Sequence, residues 1–239
     1  MTPERSRCLE TLARLVLAVD RPHPVRVAID GPDAAGKTIL ADELAPLVER
    51  SGRPVIRASI DGFHRPRALR IARGPDSPEG YYHDSFDYPA LRTALLNPLG
   101  PVGSREFRRR VFDFRTDEPV ASPPERAAAD SVLIFDGVFL LRPELVDAWD
   151  FSVFVSVPFD ETQRRAAARD AALFGGEEAT LRRYAARYVP GQRLYFGLAH
   201  PEEKADVVVD NADPTRPTIR PSESRAAAAT RSRPGAGEW

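Results

Sequence analysis

The chain has 239 residues, 42% of them apolar and 29% charged, which is enough apolar material for one sizeable core and too much for a wholly disordered protein. Thirty-five acidic and 34 basic side chains leave a formal charge of −1, so no global basic field gathers nucleic acid or an anionic membrane surface. No apolar run is long enough to span a bilayer, residues 1–20 lack the pattern of a signal peptide, and one cysteine, Cys8, forms no intramolecular disulfide; these point to a cytosolic protein without nucleic-acid or membrane partners, a homo-oligomer being left open.

Helical periodicity over residues 5–19 puts Leu9, Leu12, Val16 and Val19 on one stripe, and Arg21-Pro22-His23-Pro24 ends it. Residues 25–29 form a short apolar strand. A helix over 37–50 stops at Ser51-Gly52, and a second strand covers 55–60. Residues 61–87 are a long polar segment punctuated by Pro66, Pro75 and Pro78. Residues 88–96 are expected to be helical, and weak alternation over 105–114 suggests a hairpin strand. A buried strand at 132–135, a short helix at 142–149 and a strand at 151–157 follow. Helices at 159–173 and 181–188 and a last strand at 207–209 complete the order. Apolar strands alternating with helices predict an α/β fold, with a mostly parallel central sheet and helices on both faces. From about Thr215 the chain turns to Arg, Pro, Ser, Ala and Gly, and a disordered tail is expected. The expected division is an N-terminal helix at 1–22, one domain at 23–214 and a tail at 215–239.

Residues 31–38 read Gly31-Pro32-Asp33-Ala34-Ala35-Gly36-Lys37-Thr38, the G-x-x-x-x-G-K-[ST] pattern, set between a strand and a helix as its physics requires. The glycines let the backbone curl so that successive N–H groups face phosphate oxygens, and the helix N-terminus adds positive potential. These residues, with Ile39 behind them, are the expected nucleotide cradle. Lys37 reaches the β- and γ-phosphates. Only Lys37 and Lys204 are lysine among the 34 basic residues, so a lysine kept here suggests that arginine cannot serve. The Thr38 hydroxyl suits Mg2+, and Asp136, ending the apolar strand Val132-Leu133-Ile134-Phe135, suits the same ion.

A cradle of this kind serves switches, pumps and kinases alike. Neither asparagine, Asn97 or Asn211, precedes a lysine, so the guanine-reading Asn-Lys-x-Asp is absent. A kinase needs a base, an acceptor pocket and mobile arginines. Asp61 follows the second strand and lies beside the loop if the strands at 25–29 and 55–60 are neighbours. His64 stands three residues on. The segment 80–89, with Tyr82, His83 and Asp87, offers polar and aromatic groups to an acceptor. Arg165 and Arg169 share one face of the helix at 159–173, and Gly175-Gly176 supplies a hinge, together an arginine-bearing lid.

Taken in order, the phosphate loop, Asp61-Gly62-Phe63-His64, Ser85-Phe86-Asp87-Tyr88-Pro89, the strand into Asp136-Gly137, Arg169-Asp170 and Tyr188-Val189-Pro190-Gly191-Gln192 resemble the uridine kinase family, within the wider group holding phosphoribulokinase and bacterial pantothenate kinase. The resemblance covers roughly residues 24–214. It implies a three-layer P-loop NTPase fold and an ATP- and Mg2+-dependent kinase acting on the 5′-hydroxyl of uridine or cytidine. It makes Asp61 the catalytic base, Asp87 the carboxylate holding sugar hydroxyls, Arg165 and Arg169 lid arginines, and Asn211 a residue of the adenine side. Two departures stand out. Asp136 replaces the family's Glu, and Phe112-Asp113-Phe114 is followed by Arg115-Thr116-Asp117 where a base-reading histidine belongs. A non-nucleoside alcohol as acceptor, or a nucleotide-binding switch ATPase, are the alternatives.

Overall fold

A computed structural model describes residues 1–222. Helix α1 (Pro3–Leu17) opens the chain, followed by β1 (Val25–Asp30), α2 (Lys37–Glu49) and β2 (Val55–Ser59). A 3-10 turn (Ile60–Phe63) leads to three short helices, α3 (Arg67–Arg70), α4 (Pro78–Asp84) and α5 (Tyr88–Leu91). Four two-residue strands come next, β3 (Glu106–Phe107), β4 (Phe112–Asp113), β5 (Glu118–Pro119) and β6 (Glu125–Arg126). Then come β7 (Val132–Asp136), β8 (Phe151–Ser156), α6 (Phe159–Phe174), α7 (Glu177–Arg183), α8 (Val189–Ala199), α9 (Pro201–Lys204), β9 (Val207–Asp210) and β10 (Thr218–Pro221).

The main sheet has the order β10-β9-β8-β1-β7-β2, parallel throughout except for the β9–β10 pair. Side-chain alternation divides the core between its two faces. Val27, Ile29, Ile134, Val153 and Val209 pack with α1 and α2 on one side. Ala28, Phe135, Phe154 and Val208 pack with Tyr81, Leu91 and Tyr195 on the other. The expected three-layer α/β arrangement is therefore present. Helix α1 is part of that core, since Leu9, Leu12 and Val16 are fully buried beside α2.

Several expectations need correction. The strands at 25–29 and 55–60 are not neighbours, because β7 lies between them. The segment 105–114 does not make one hairpin strand: β3 pairs with β6 and β4 with β5. At 142–149 only a 3-10 turn, Val146–Ala148, forms. The helix expected at 181–188 passes through a wide π turn, Tyr184–Tyr188, straight into α8.

The tail does not begin at 215. Thr218–Pro221 adds an antiparallel edge strand, pairing Ile219 with Val209 and Arg220 with Val208, and Arg220 bonds Glu202 at 2.8 Å. The remainder of the expected tail, 223–239, lies outside the described residues. Among the described residues, no helix is long and apolar enough to cross a membrane. Because β10 covers the backbone edge of β9, a chain stopped after Pro214 should melt about 2–4 °C below one stopped after Ser222, a difference worth about 1 kcal/mol that thermal unfolding will read.

Candidate functional site

The parallel registers set Ile29, Asp136 and Ser59 at one level of the sheet edge. At its carboxyl end, β1 runs into the loop 31–36 and so to α2. The loop requires glycine at two places. A Cβ on Gly31 would stand 2.4 Å from the Val155 carbonyl oxygen, and one on Gly36 (φ +91°) would stand 2.9 Å from Asn211 Nδ2. Ala34 also takes a left-handed backbone, φ 58°, a conformation that helps turn consecutive N–H groups into one concavity.

Carboxylates anchor this loop from both sides. Asp30 is fully buried; Gly31 N donates to its Oδ1 at 2.7 Å, and the Tyr195 hydroxyl and Leu141 N donate to its Oδ2. Burial pushes its carboxyl up to about 6, against those hydrogen bonds and Lys37. Asp33 receives the Tyr81 hydroxyl at 2.7 Å and Gln192 Nε2 at 2.6 Å, which ties the loop to α4 and α8. Lys37 is buried and its Nζ donates to Pro32 O at 2.6 Å. Burial lowers its pKa, opposed by Asp33, Asp30 and Asp136.

The Thr38 hydroxyl donates to Asp136 Oδ2 at 2.7 Å, while Arg57 Nη2 holds Asp136 Oδ1 at 3.0 Å. A hydroxyl and a carboxylate side by side at the start of α2 are oxygen donors of the kind a hard cation takes. Among the described residues no three His, Cys, Asp or Glu side chains gather as a metal cage. The pair therefore fits an ion that takes its other ligands from substrate phosphates and water, as Mg2+ does.

Two cavities meet at this loop. One, of about 810 Å3, is lined by Ala34, Gly36, Lys37, Thr38, Ile39, Arg165, Arg169 and Asn211, and also by Arg5, Pro214 and Thr215. The other, of about 590 Å3, is lined by Asp33, Asp61, His64, Tyr81, Phe86, Phe114, Arg115 and Asp136, and by Tyr184 and Tyr188. Ala34, Lys37, Thr38 and Arg169 belong to both.

Asp61 reaches the second cavity although β7 separates its strand from β1, because the strand ends are level. Its surface is open to the cavity, yet the surrounding walls desolvate it. That desolvation, with Asp136 and Asp33 facing it, pushes the carboxyl up to about 6, against Lys37 and Arg169. His64 sits between Phe86 and Phe114 in tilted contacts, with ring centroids 4.6 and 4.8 Å away.

Three residues expected at the acceptor lie elsewhere. Asp87 caps α5, its Oδ1 accepting from Ala90 N at 2.8 Å. Tyr82 is buried under the Arg142 guanidinium, 4.4 Å from its ring, and His83 is exposed beyond it. All three are outside the cavity wall, and Tyr81 occupies the place expected of its neighbour. Around α4, residues one apart point about 100° apart, so sharing a segment does not mean sharing a pocket.

The arginines of α6 are braced. Arg165 bonds Glu161 and the carbonyls of Asn211 and Ala212, and Arg169 is held by Asp170 through two bonds of 2.7 and 2.9 Å. Gly175 and Gly176, at φ 85° and 121°, turn the chain into α7. Asn211 is buried and its Nδ2 donates to Ala35 O at 2.7 Å.

No protein-family model matches the chain. It is 23% identical over 189 residues to uridine-cytidine kinase B of Dictyostelium discoideum, covering 78% of this chain and 74% of that one. Among solved structures, a possible uridine kinase from Bacillus stearothermophilus superposes with a TM-score of 0.68 at 22% identity, covering 85% of this chain and 97% of that one. A candidate fructose transport system kinase from Silicibacter sp. TM1040 gives 0.68 at 24% identity, covering 80% and 95%. The fold is that of the uridine kinase-like P-loop kinases. Likeness to kinases on this scale supports a phosphotransferase.

One residue at this kinase-type loop escaped the sequence reading. Arg5, from α1, bonds Glu43 through Nε at 2.7 Å, Asn211 Oδ1 at 3.5 Å and Pro214 O at 2.9 Å, and so carries the N-terminal helix to the cavity wall. Nothing local marks it, because its partners are 38 to 209 residues away.

The raised carboxyl of Asp30 has a consequence for stability. A folded-state value of about 6 against 3.8 unfolded means that the fold favours the protonated form, so this contribution is present at low pH and lost as pH rises from about 4 to 6. Relative to Asp30→Asn, the native chain should lose about 2.4 kcal/mol between pH 4 and pH 8, read from urea unfolding at the two pH values.

Proposed function

We propose that this protein transfers the γ-phosphoryl group of ATP to a hydroxyl of a small polar metabolite. The observation that carries the reading is the junction of the two cavities at Lys37, Thr38 and Arg169. A nucleotide in the larger cavity, with Asn211, Ile39 and Arg5 on its base side, ends its phosphate chain at that junction. The acceptor enters from the smaller cavity, where Asp61 waits.

The roles follow from the chemistry of each group. Loop N–H groups and Lys37 bind the phosphates, and Thr38 and Asp136 are the residues to hold Mg2+, which supplies charge neutralisation on the transferring group when bound. Asp61 accepts the proton of the attacking hydroxyl and orients its oxygen. A carboxylate near 6 is a stronger base than an ordinary one and is still ionised at neutral pH. Arg169, reaching both cavities, faces the charge that develops on the phosphoryl oxygens, and Arg165 braces the helix that carries it.

Two acceptor classes have an observation each. The aromatic wall of Phe86, His64 and Phe114 suits a flat nucleoside, in line with the pyrimidine nucleosides implied by the sequence resemblance. Arg115, a cation on the wall of the smaller cavity, suits a non-nucleoside alcohol that carries negative charge.

Asp61→Asn should lower turnover by at least about a hundredfold while calorimetric affinity for ATP stays nearly unchanged. In the native enzyme kcat/KM should fall about tenfold per pH unit below about 6, where the base is protonated, and the residual activity of the variant should lack that limb. Unchanged turnover in the variant removes Asp61 from its role.

A further inference from the structure

The smaller cavity has a wall built as a ladder. Phe86, His64, Phe114 and Arg115 follow one another, with 4.6 and 4.8 Å between the ring centroids and 5.7 Å from the Arg115 guanidinium carbon to the Phe114 ring. The four line the same cavity as Asp61. His64 Nδ1 lies 3.1 Å from the carbonyl oxygen of Asp61. Burial lowers the ring's pKa to about 4, so at neutral pH it is uncharged. Nδ1–H then donates to that carbonyl, and Nε2 is left as a hydrogen-bond acceptor.

Arg115 is presented on a braced turn between β4 and β5. Its own N–H donates to Asp113 Oδ1 at 2.9 Å. Two residues on, Asp117 Oδ1 accepts from Arg67 N at 2.7 Å and from Arg70 Nη2 at 3.3 Å, which fixes the turn to α3. Apart from Asp61, the other charged groups of the wall named above are engaged. Arg169 holds Asp170, Asp33 holds Tyr81 and Gln192, Asp136 holds Thr38 and Arg57, and Lys37 holds Pro32 O. Among the described residues, the Arg115 guanidinium has a ring to lie on and no carboxylate to pair with. A stacked guanidinium keeps its edge donors free, in the fork geometry that carboxylate and phosphate accept.

Resting on the phosphotransfer reading above, we infer that the acceptor is an anionic polyol, a hydroxylated acid or a sugar phosphate. Arg115 takes its carboxylate or phosphate, His64 Nε2 accepts from a second hydroxyl, and Asp61 engages the hydroxyl that is phosphorylated. A neutral nucleoside leaves Arg115 without a partner.

The test is an ADP-release assay of the full chain with matched acceptors, D-glycerate against glycerol, fructose 6-phosphate against fructose, and uridine and cytidine beside them. One anionic member should exceed its neutral counterpart and both nucleosides at least tenfold in kcat/KM, and which one does so separates carboxylate from phosphate. With that acceptor, Arg115→Ala should raise its KM about tenfold or more, keep the KM for ATP within about twofold, and regain part of the loss as Arg115→Lys. Transfer that proceeds equally well or better to a neutral acceptor, or an unchanged KM in Arg115→Ala, overturns the inference and leaves the kinase reading standing. If no acceptor of either class raises ADP release above the acceptor-free rate, the kinase reading falls and this inference with it.

Discussion

The parallel pairing of β1 with β7, Val25 on Val132 through Ile29 on Asp136, ends the two strands at one level, and the reactive groups are all placed from that edge. Asp136 arrives beside the start of α2 and meets Thr38. Pairing of β2 with β7 in the same register, Ser59 on Asp136, brings Asp61 just past the edge. A slip of one residue between β1 and β7 would turn Asp136 into the opposite layer and break the Thr38 contact. Side-chain size opposes it, since Leu133 and Phe135 are packed into one layer and the smaller pair Val132 and Ile134 into the other. Packing on two faces of a sheet therefore sets a geometry that no loop could hold by itself.

Within that frame the loop is held by acids. A chain segment that must turn N–H groups toward an anion presents them poorly if it is mobile, because reorganisation then opposes binding. Here Asp30 grips the backbone at Gly31 and Leu141, and Asp33 is gripped by Tyr81 and Gln192. One acid precedes the curl and the other sits within it, and together they tie it to α4, α8 and the segment after β7. Their charge also faces Lys37 and offsets the desolvation of its ammonium. The same desolvation acts on Asp61, where it runs the other way and strengthens a base. Burial thus weakens the hold of a cation on its proton and tightens that of a carboxylate, in a single cleft.

How much of this was legible in the sequence depended on whether a feature was local. The loop, its flanking strand and helix, and the acids at strand ends are written in consecutive residues and stood where expected. Asp87, Tyr82 and His83 did not reach the smaller cavity, because a polar segment read as one loop folds into α4 and α5, and each residue then takes the direction its helix gives it. Helix α8 was missed because Val189-Pro190-Gly191-Gln192 reads as a break, although proline is tolerated in a first helical turn and Gly191 lies where a Cβ would strike Tyr81 at 2.8 Å. Strand β10 was missed because an edge strand needs little more than a free backbone partner and one apolar side chain, here Ile219, and composition hides both. Arg5 was invisible because its role exists only after folding.

Lysine at position 37 in a chain that otherwise uses arginine almost throughout follows from the space the loop leaves. The side chain is buried, and its Nζ sits 2.6 Å from the carbonyl of Pro32, five residues back, inside the curl of the loop. A compact ammonium turns its three donors in any direction from there, and one of them meets the Pro32 carbonyl. A guanidinium is flat and carries five donors in fixed directions, so in this buried position its unused N–H groups would be left without partners. Arg169 shows the contrasting choice. It comes from a helix outside the loop, it can lie in a fork against Asp170, and a planar group suits the surface where the two cavities join. Two cations border the junction of the two cavities, one enclosed by the loop and one laid over it, and the shape of each position decides which residue it holds.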